Sequence, residues 1–391
     1  MGSRRGSARD FRLIYHMAER IHSIDAVRAV ALLGILLAHA HNFFNIYQPQ
    51  VPVGCADGVW NILYEGLFRE KFFLIFSFLF GLSFFLQMDR AMAKGVDFRL
   101  RFCWRLVLLA GFGLLNSWFY CGDILLIFAI TGFIPVLLWR VSTRWLVVLS
   151  GICLLQPLAL YHDLSGTPDA MHQWYDGIRE NCGLTWAPSS LTASFSEMGI
   201  WNISDGVCHS LLYVVYSYRI WALIGMFLLG MIAGRLRIFE GGVRMAPFLL
   251  VTVMIWGLVT CATTGNSSMA YWRIIEPSLF ALVLIPALEK FFRFSRVQGA
   301  TAVLGRLGRC TLTCYIFQNA IMVWLLCSYG AGRTCHLSVS AIMAAALILY
   351  LLQMSACNLW LRRFRYGPLE GVWRYLTRLG MRSVPARTDF N

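Results

Sequence analysis

Charged residues are scarce in this sequence of 391 residues. They make up 14% of the chain, whereas soluble domains contain about 25%. Apolar residues account for 58%, above the roughly 45–50% that is usual in soluble domains. Negative charge is the scarcer sign, with 20 Asp and Glu against 34 Lys and Arg. This composition excludes an ordinary soluble globular protein and indicates an integral membrane protein.

The sequence also lacks the motifs of soluble catalytic sites. It contains no Walker loop, no G-x-S-x-G and no C-x-x-C pair, and no G-x-G-x-x-G follows a strand. The 12 cysteines are scattered, many of them inside apolar runs, so we expect neither a disulfide framework nor a metal site. Residues 1–22 are polar and basic and precede a long apolar run, so we expect no cleavable signal peptide.

Apolar runs recur along the whole chain, and a run of about 20 residues crosses a bilayer once. The runs cover residues 26–46, 70–88, 104–121, 124–139, 145–161, 214–234, 246–264, 274–292, 310–328 and 337–358. The predicted fold class is therefore all-α: a polytopic integral membrane protein with about ten transmembrane helices.

Most of the 34 basic residues fall in loops on one side of the predicted bundle. Lys and Arg concentrate in the cytoplasmic loops of membrane proteins, so this distribution predicts that both termini are cytoplasmic. It also accounts for the net charge of +14 without a nucleic acid partner. The predicted partner is the lipid bilayer, and we expect no nucleic acid. The sequence does not determine the oligomeric state.

This topology divides the chain into five segments. They are a cytoplasmic amino-terminal segment at 1–24, a first half of five spans at 25–161, an outer loop at 162–213, a second half of five spans at 214–360, and a cytoplasmic amphipathic tail at 361–391. The outer loop exceeds the roughly 12–15 residues of ordinary connections, so it is either a binding loop or a simple connector. In the tail, Pro368 suits the first turn of a helix that lies on the membrane surface.

The first span has polar residues at both ends. Arg28 and His39 are eleven positions apart, which is three helical turns plus about 20° and a rise of about 16.5 Å. They therefore share one face of the helix. On that face Asp25 precedes Arg28 by one turn, close enough to pair with it, and Asn42 follows His39. His41 points about 200° away from His39, so the two histidines cannot bind one metal ion.

Further polar residues are predicted at the outer end or in the middle of other spans. They are Glu70, Asn116, Asp123 and Gln318. Ionisable residues inside spans usually face the bundle interior and mark functional sites, and these can form one cluster with His39 and Asn42. The alternative is structural. In that interpretation Arg28 reaches the lipid headgroups, Asp25 stabilises the amino end of its helix, and the histidines are interfacial.

Several blocks of the sequence resemble a known family. The segments IDAVRAVALLGILLAHAHNFF, EKFFLIFSFLFGLSFFLQMDR, GDILLIFAITGFI, LGRLGRCTLTCYIFQ and LWLRRFRYGPLEGVWRYLTR are similar, in order, to blocks of the YeiB-like family of bacterial inner-membrane proteins, also called domain of unknown function 418. The resemblance covers residues 21–380, and its most specific motif is R-[YF]-G-P-x-E, here Arg365 to Glu370. It implies a multi-pass protein of the inner (plasma) membrane, with the second half as its YeiB-like carboxyl-terminal domain.

The YeiB-like family is distantly similar to transmembrane acyltransferases, many of which carry R-x10-H in the first span. Arg28 and His39 match that motif, although Ala29 stands where a Gly is usual. Asn116 lies near the position where a His usually precedes the GDIL block. The similarity implies an enzyme that moves an acyl group from cytoplasmic acyl-CoA to an envelope glycan or lipid. Apart from acyl-CoA as the donor substrate, it implies no cofactor.

The same similarity implies roles for the polar residues. His39 and Asp123 would be catalytic, because a neutral His takes a proton from a hydroxyl or amine at physiological pH. Asp25 and Arg28 would bind the donor, because a guanidinium matches the phosphates of acyl-CoA. The polar cavity for the acceptor would contain Asn42, Glu70, Asn116 and Gln318.

Two other functions stay open, and the sequence does not decide whether the chain is an enzyme. A transporter or permease for a small molecule fits ten helices with polar groups at mid-membrane depth, although no internal repeat or broken helix is evident. A non-enzymatic membrane scaffold or sensor would use the long outer loop. The acyltransferase hypothesis differs from both by requiring a histidine base.

Overall fold

The chain is helical throughout the part that its computed structural model describes. That part comprises residues 4–47, 54–167, 170–188, 193–240, 245–263, 270–327, 330–331 and 337–379. No strand occurs among these residues, so the predicted all-α class is confirmed.

The helices of the first half follow the apolar runs. They are α1 (Arg4–Tyr47), α2 (Cys55–Leu63), α3 (Phe72–Met92), α4 (Arg99–Ser117), α5 (Ile124–Thr131), α6 (Phe133–Leu137), α7 (Thr143–Leu155) and α8 (Pro157–Leu164). A π-helical turn, Tyr64–Phe68, follows α2 and leads into α3. Local caps define several ends: the Asp123 carboxylate accepts the backbone N–H of Leu126 (2.8 Å) and begins α5.

The predicted outer loop contains helices of its own, and the second half continues the bundle. These helices are α9 (Ala170–Asn181), α10 (Phe195–Trp201), α11 (Val207–Tyr216), α12 (Arg219–Arg235), α13 (Met245–Thr263), α14 (Ala270–Phe292), α15 (Gln298–Gly308), α16 (Thr311–Leu326), α17 (Val339–Arg363) and α18 (Pro368–Leu379). A helix is therefore present at each predicted apolar run.

Within the described residues, five helical segments are long and apolar enough to cross a membrane. They are Ser23–Asn45, Asp57–Met92, Arg99–Ser117, Thr143–Leu164 and Val339–Arg363. The chain is thus a multi-pass membrane protein. The total of about ten crossings and the cytoplasmic location of the termini stay predictions, because several other apolar helices are shorter or broken.

The predicted sixth span, residues 214–234, is not one straight helix. The chain bends by 76° between the helical segment Phe195–Tyr216, which contains α10 and α11, and α12. Tyr218 occupies the left-handed region at φ 61°, which a bulky residue rarely adopts and which ends the preceding helix. The bend brings the end of α11 and the start of α12 towards the same side of the bundle as α1 and α3.

The packing centres on α1, which contacts α3, α14, α15, α16 and α17. Helices α3 and α12 pack closely: Gly81 faces the backbone oxygen of Phe227, and Gly230 faces that of Phe78. At the periphery, α7 and α13 expose large apolar side chains such as Val147, Ile152 and Leu258, as expected of a lipid-facing surface.

The tail helix α18 is docked onto the end of the bundle where α3, α12 and α17 finish, hereafter the basic end. The Trp373 indole donates to the backbone oxygen of Arg105 (3.2 Å), and the Trp104 indole donates to that of Leu376 (3.2 Å). Pro368 is the first residue of α18, as predicted. The helix is strongly amphipathic, and one face packs on α4 and α16. Its position on the membrane surface stays a prediction.

Candidate functional site

His39 lies buried in the outer half of α1 within a ring of aromatic side chains. Its ring centroid is 5.0 Å from that of Tyr120, 5.8 Å from that of Tyr315 and 5.9 Å from that of Phe43. Its Nδ1 is 3.0 Å from the Oδ1 of Asn319 on α16. Its Nε2 has no hydrogen-bond partner among the described residues, and His39 lines a cavity.

Behind His39 a chain of hydrogen bonds connects three helices. The amide nitrogen of Asn319 donates to the Oδ1 of Asn116 on α4 (3.3 Å), and the amide nitrogen of Asn116 donates to the Oδ1 of Asp123 (2.9 Å). All four side chains, from His39 to Asp123, are buried. We call this chain of His39, Asn319, Asn116 and Asp123 the polar relay.

The relay has a direction that follows from its last member. Asp123 accepts hydrogen bonds from the backbone N–H of Leu126 and the NH₂ group of Asn116, so the oxygen of Asn116 faces Asn319. Asn319 then offers its own oxygen to Nδ1 of His39, which requires the proton of a neutral imidazole to be on Nδ1. The lone pair is consequently on Nε2. This is the tautomer that a general base at Nε2 needs.

A cavity of about 680 Å³ lies at the end of the bundle opposite the basic end and is bordered by His39, Asn42 and Glu70. We call it the large cavity. The predicted outer loop contributes much of its wall through Tyr175, Trp186, Trp201 and His209. His209 stacks on Trp186 (ring centroids 5.5 Å apart, planes at 9°), and the Tyr175 hydroxyl is 2.7 Å from its Nδ1. This placement supports the interpretation of the loop as a binding loop.

Charged side chains border the same cavity, and most of them are paired. Glu70 forms ion pairs with Arg69 (3.3 Å) and with Arg219, at the start of α12 beyond the 76° bend. Arg69 also pairs with Glu65 (2.8 Å), so the charges crowded before α3 pair with one another. Glu70 itself has φ 61°, a costly left-handed conformation for a non-glycine residue, and such residues cluster at functional sites.

A second cavity, of about 130 Å³, lies deeper in the bundle and is almost entirely apolar. We call it the small cavity. Leu32 and Ile35 of α1 line it, and they lie between Arg28 and His39 on one face of that helix. Ile35 and Ile124 border both cavities, and Tyr315 borders the small one. The small cavity therefore extends from the aromatic ring around His39 towards the basic end, where Trp373 lines it.

At the basic end of α1, Arg28 pairs with Asp25 as predicted. Arg28 also donates to the hydroxyl of Ser83 on α3. Asp25 is buried and Arg28 is a quarter exposed. Neither residue borders the large or the small cavity. The helix stripe from Asp25 to Asn42 thus exists, with an ion pair at one end and the relay histidine near the other.

The other predicted residues are divided between the cavity and the relay. Asn42 borders the large cavity and accepts a hydrogen bond from the Tyr64 hydroxyl (3.0 Å). Gln318 joins neither: it is fully buried, and neither of its amide atoms has a hydrogen-bond partner within the described structure. His41 has partners separate from those of His39, namely Asn61 and a stacked Tyr64 ring, although it borders the same cavity.

The sequence reasoning assigned no role to Asn319, Tyr120 or Tyr315. Tyr315 and Asn319 are four residues apart on α16, so they share a helix face that points towards His39. That spacing was the available signal, but it does not separate Asn319 from Gln318, which is three residues from Tyr315. Within the described residues, no group of three or more His, Cys, Asp or Glu is placed to hold a metal ion. Cys182 and Cys208 of the outer loop are both exposed and unbridged.

Comparison with known proteins gives a family and several relatives. Residues 232–380 match the family described as "Protein of unknown function (DUF418)". The chain is 28% identical over 401 positions to uncharacterized protein YeiB of Escherichia coli (strain K12), with 92% of this chain and 96% of YeiB covered. It is 25% identical over 401 positions to uncharacterized protein YxaH of Bacillus subtilis (strain 168), with 95% of this chain and 97% of YxaH covered. No solved structure matches the chain significantly.

Proposed function

This chain belongs to the YeiB-like (DUF418) family of membrane proteins, and we propose that it is a transmembrane acyltransferase of the bacterial inner membrane. It would move an acyl group from a cytoplasmic acyl-CoA to a hydroxyl or amine of an envelope glycan or lipid. The observation that supports this most is the polar relay, because Nε2 of a buried neutral histidine then has no hydrogen-bond partner among the described residues and lies at the wall of a large cavity.

In the proposed reaction His39 acts first as a base and then as an acid. Its Nε2 removes the proton of the acceptor hydroxyl or amine while that oxygen or nitrogen attacks the thioester carbonyl. The carbon–sulfur bond then breaks, and the CoA thiolate receives the proton from His39. Asp123 acts through Asn116 and Asn319, because the relay keeps the Nδ1 proton in place and stabilises the imidazolium that forms.

The two cavities would give each substrate its own approach to His39, which borders the large cavity and whose neighbour Tyr315 borders the small one. The acceptor would enter the large cavity, whose aromatic and paired charged residues suit a polar molecule with apolar faces. The acyl group would reach His39 through the small cavity, past Leu32 and Ile35. Arg28 and Asp25 border neither cavity and would contact the donor beyond this path, about 16.5 Å and about 21 Å along the helix from His39. Asn42 and Glu70 would contact the acceptor.

A transporter is the second candidate, and the bend before α12 favours it. Broken helices at a central cavity are typical of secondary transporters, and Glu70 and Arg219 meet at this break. A transporter would need the large and small cavities to open alternately to the two sides of the membrane. It would not need the Nε2 lone pair of His39.

The purified protein in detergent should be given acetyl-CoA labelled in the acetyl group, together with an envelope fraction from a bacterium of the same type. The proposal expects label to appear in a glycan or lipid of that fraction, with release of stoichiometric free CoA thiol. Absence of both transfer and hydrolysis, together with solute flux in proteoliposomes, would replace the enzyme by the transporter. A preparation without protein and one with heat-inactivated protein are the controls.

A further inference from the structure

The charged side chains around the large cavity leave its wall with an excess of positive charge. Three cationic and two anionic side chains border it, namely Arg69, Lys71, Arg219, Glu65 and Glu70. A further carboxylate, that of Glu276, pairs with Lys71 (3.0 Å) but does not border the cavity. A ligand in the cavity therefore meets one more positive charge than negative.

Arg219, the first residue of α12, has a donor without an acceptor on this wall. Its guanidinium lies 4.3 Å from the ring centroid of Tyr213, which also borders the cavity, and it donates to the Glu70 carboxylate. Its Nε is buried and has no hydrogen-bond partner within the described structure. Stacking on an aromatic ring orients a guanidinium and leaves the donors at its edge available to an oxyanion.

Lys71, immediately before α3, supplies a second donor on the same wall. Its side chain is 3% exposed, yet it borders the cavity. An ammonium has three N–H donors, and two of them have acceptors here, the Glu276 carboxylate (3.0 Å) and the backbone oxygen of Glu65 (3.2 Å). The third has no acceptor among the described residues. These two contacts hold the ammonium in place for an anion that enters from the cavity.

Helices α3 and α12 run parallel and both begin at the large cavity. Glu70, just before α3, pairs with Arg219, and Phe85 packs against Gly234 near the far ends of the two helices. The amino end of a helix carries partial positive charge, so acidic residues are favoured there. Neither helix has an acidic residue in its first turn or a side-chain cap, and each begins with a basic residue, Lys71 or Arg219. Both helix dipoles therefore add to the positive charge of this wall.

We infer that the large cavity binds an anionic group of its ligand, a carboxylate or a phosphate, at Arg219 and Lys71, where α3 and α12 begin. Guanidinium and ammonium groups form their strongest hydrogen bonds with these oxyanions. Glu70 pairs with Arg69 and Arg219, so its carboxylate competes with the ligand for the arginines. The anion has two sources, an acidic sugar or the headgroup of a phospholipid. The inference goes beyond the proposed function and does not rest on it, since anion binding requires no histidine base.

Binding should be measured by isothermal titration calorimetry on the full-length protein in a neutral detergent. Glucuronate and glycerol 3-phosphate are the anionic probes, and glucose and glycerol are their uncharged counterparts. Arg219→Gln is the test variant, and Glu70→Gln removes the competing charge while keeping the size of the side chain. Arg179→Gln is the matched control. Arg179 is buried to the same extent as Arg219, pairs with acidic residues and stacks on Trp186, but it does not border the cavity.

We expect the wild-type protein to bind at least one anionic probe ten times or more as tightly as its uncharged counterpart. Arg219→Gln should weaken that binding at least tenfold, and Arg179→Gln should change it less than twofold. Glu70→Gln should strengthen it at least threefold, a gain that misfolding cannot produce. Tighter binding of glucuronate assigns the anion to an acidic sugar, and tighter binding of glycerol 3-phosphate assigns it to a lipid headgroup.

The inference is overturned if the anionic probes bind no better than the uncharged ones, if Arg219→Gln binds them as the control does, or if Glu70→Gln weakens binding. His39→Gln should bind the anionic probes normally, which separates this result from any failure of catalysis.

Discussion

The contact of α3 with α12 allows a stability prediction with a defined geometry. A Cβ atom added at Gly81 would lie 2.0 Å from the backbone oxygen of Phe227, and one added at Gly230 would lie 2.0 Å from that of Phe78. Carbon and oxygen in close contact are normally about 3.3 Å apart, so the helices must separate by roughly 1.3 Å at this point. Backbone atoms cannot rotate away as a side chain can.

The expected cost of Gly81→Ala or Gly230→Ala follows from two opposing effects. Overpacking a close interface costs about 1–3 kcal/mol. Replacing a helical Gly by Ala returns about 0.5–1 kcal/mol of helix propensity. Each variant should therefore lose about 1–2 kcal/mol of unfolding free energy. The double variant should lose less than the sum, because one separation of the helices relieves both clashes.

The free energy of unfolding should be measured in mixed detergent micelles for both variants. Gly111→Ala and Gly257→Ala are matched controls in α4 and α13, since no atom lies within 4 Å of a Cβ at either position. The controls should be unchanged or about 0.5–1 kcal/mol more stable. If Gly81→Ala and Gly230→Ala behave like the controls, α3 and α12 do not pack as closely as described.

Further predictions concern buried polar groups. Glu370→Ala should lower the free energy of unfolding by about 3 kcal/mol or more, because it leaves two backbone N–H groups and the Thr313 hydroxyl without their charged acceptor. Glu370→Gln keeps one acceptor oxygen and should lower it by less than about 1.5 kcal/mol. Burial raises the pKa of Glu370, so the folded chain keeps this proton to higher pH than the unfolded chain. The free energy of unfolding of the wild-type protein should therefore fall as the pH rises through that raised pKa. In a pH series of unfolding measurements, Glu370→Gln should not show this fall. Gln318→Met should be neutral or stabilising in the same assay, because the Gln318 amide has no partner, and a loss above about 1 kcal/mol would reveal one. Asn319→Leu should slow acyl transfer at least tenfold while Gln318→Met leaves the rate unchanged, because only Asn319 contacts His39.

The first helix shows what the sequence could predict. At 100° per residue, the spacing of Asp25, Arg28, His39 and Asn42 determines their shared face, whatever the rest of the chain does. The ion pair of Asp25 with Arg28 is equally local, and both features are found. The amphipathic helix after Pro368 follows from the same periodicity.

The relay could not be predicted, because its contacts join distant parts of the chain. Asn116 and Asn319 are 203 positions apart, and His39 and Asn319 are 280 apart. Which of Gln318 and Asn319 faces α1 depends on the rotation of α16, set by packing rather than by composition. The bend at Tyr218 likewise depends on tertiary contacts, since residues 214–234 are apolar enough to suggest one uninterrupted helix.

The rate of acetyl transfer or thioester hydrolysis in His39→Gln tests the central claim most directly. A positioned general base contributes about 10²–10⁴-fold to the rate, so this variant should lose at least about 100-fold against the wild-type protein. His41→Gln is the matched control, since His41 borders the same cavity but is stacked on Tyr64 and hydrogen-bonded to Asn61. It should retain most of the activity. A His39→Gln protein as active as the wild type would contradict the assignment of His39 as the base.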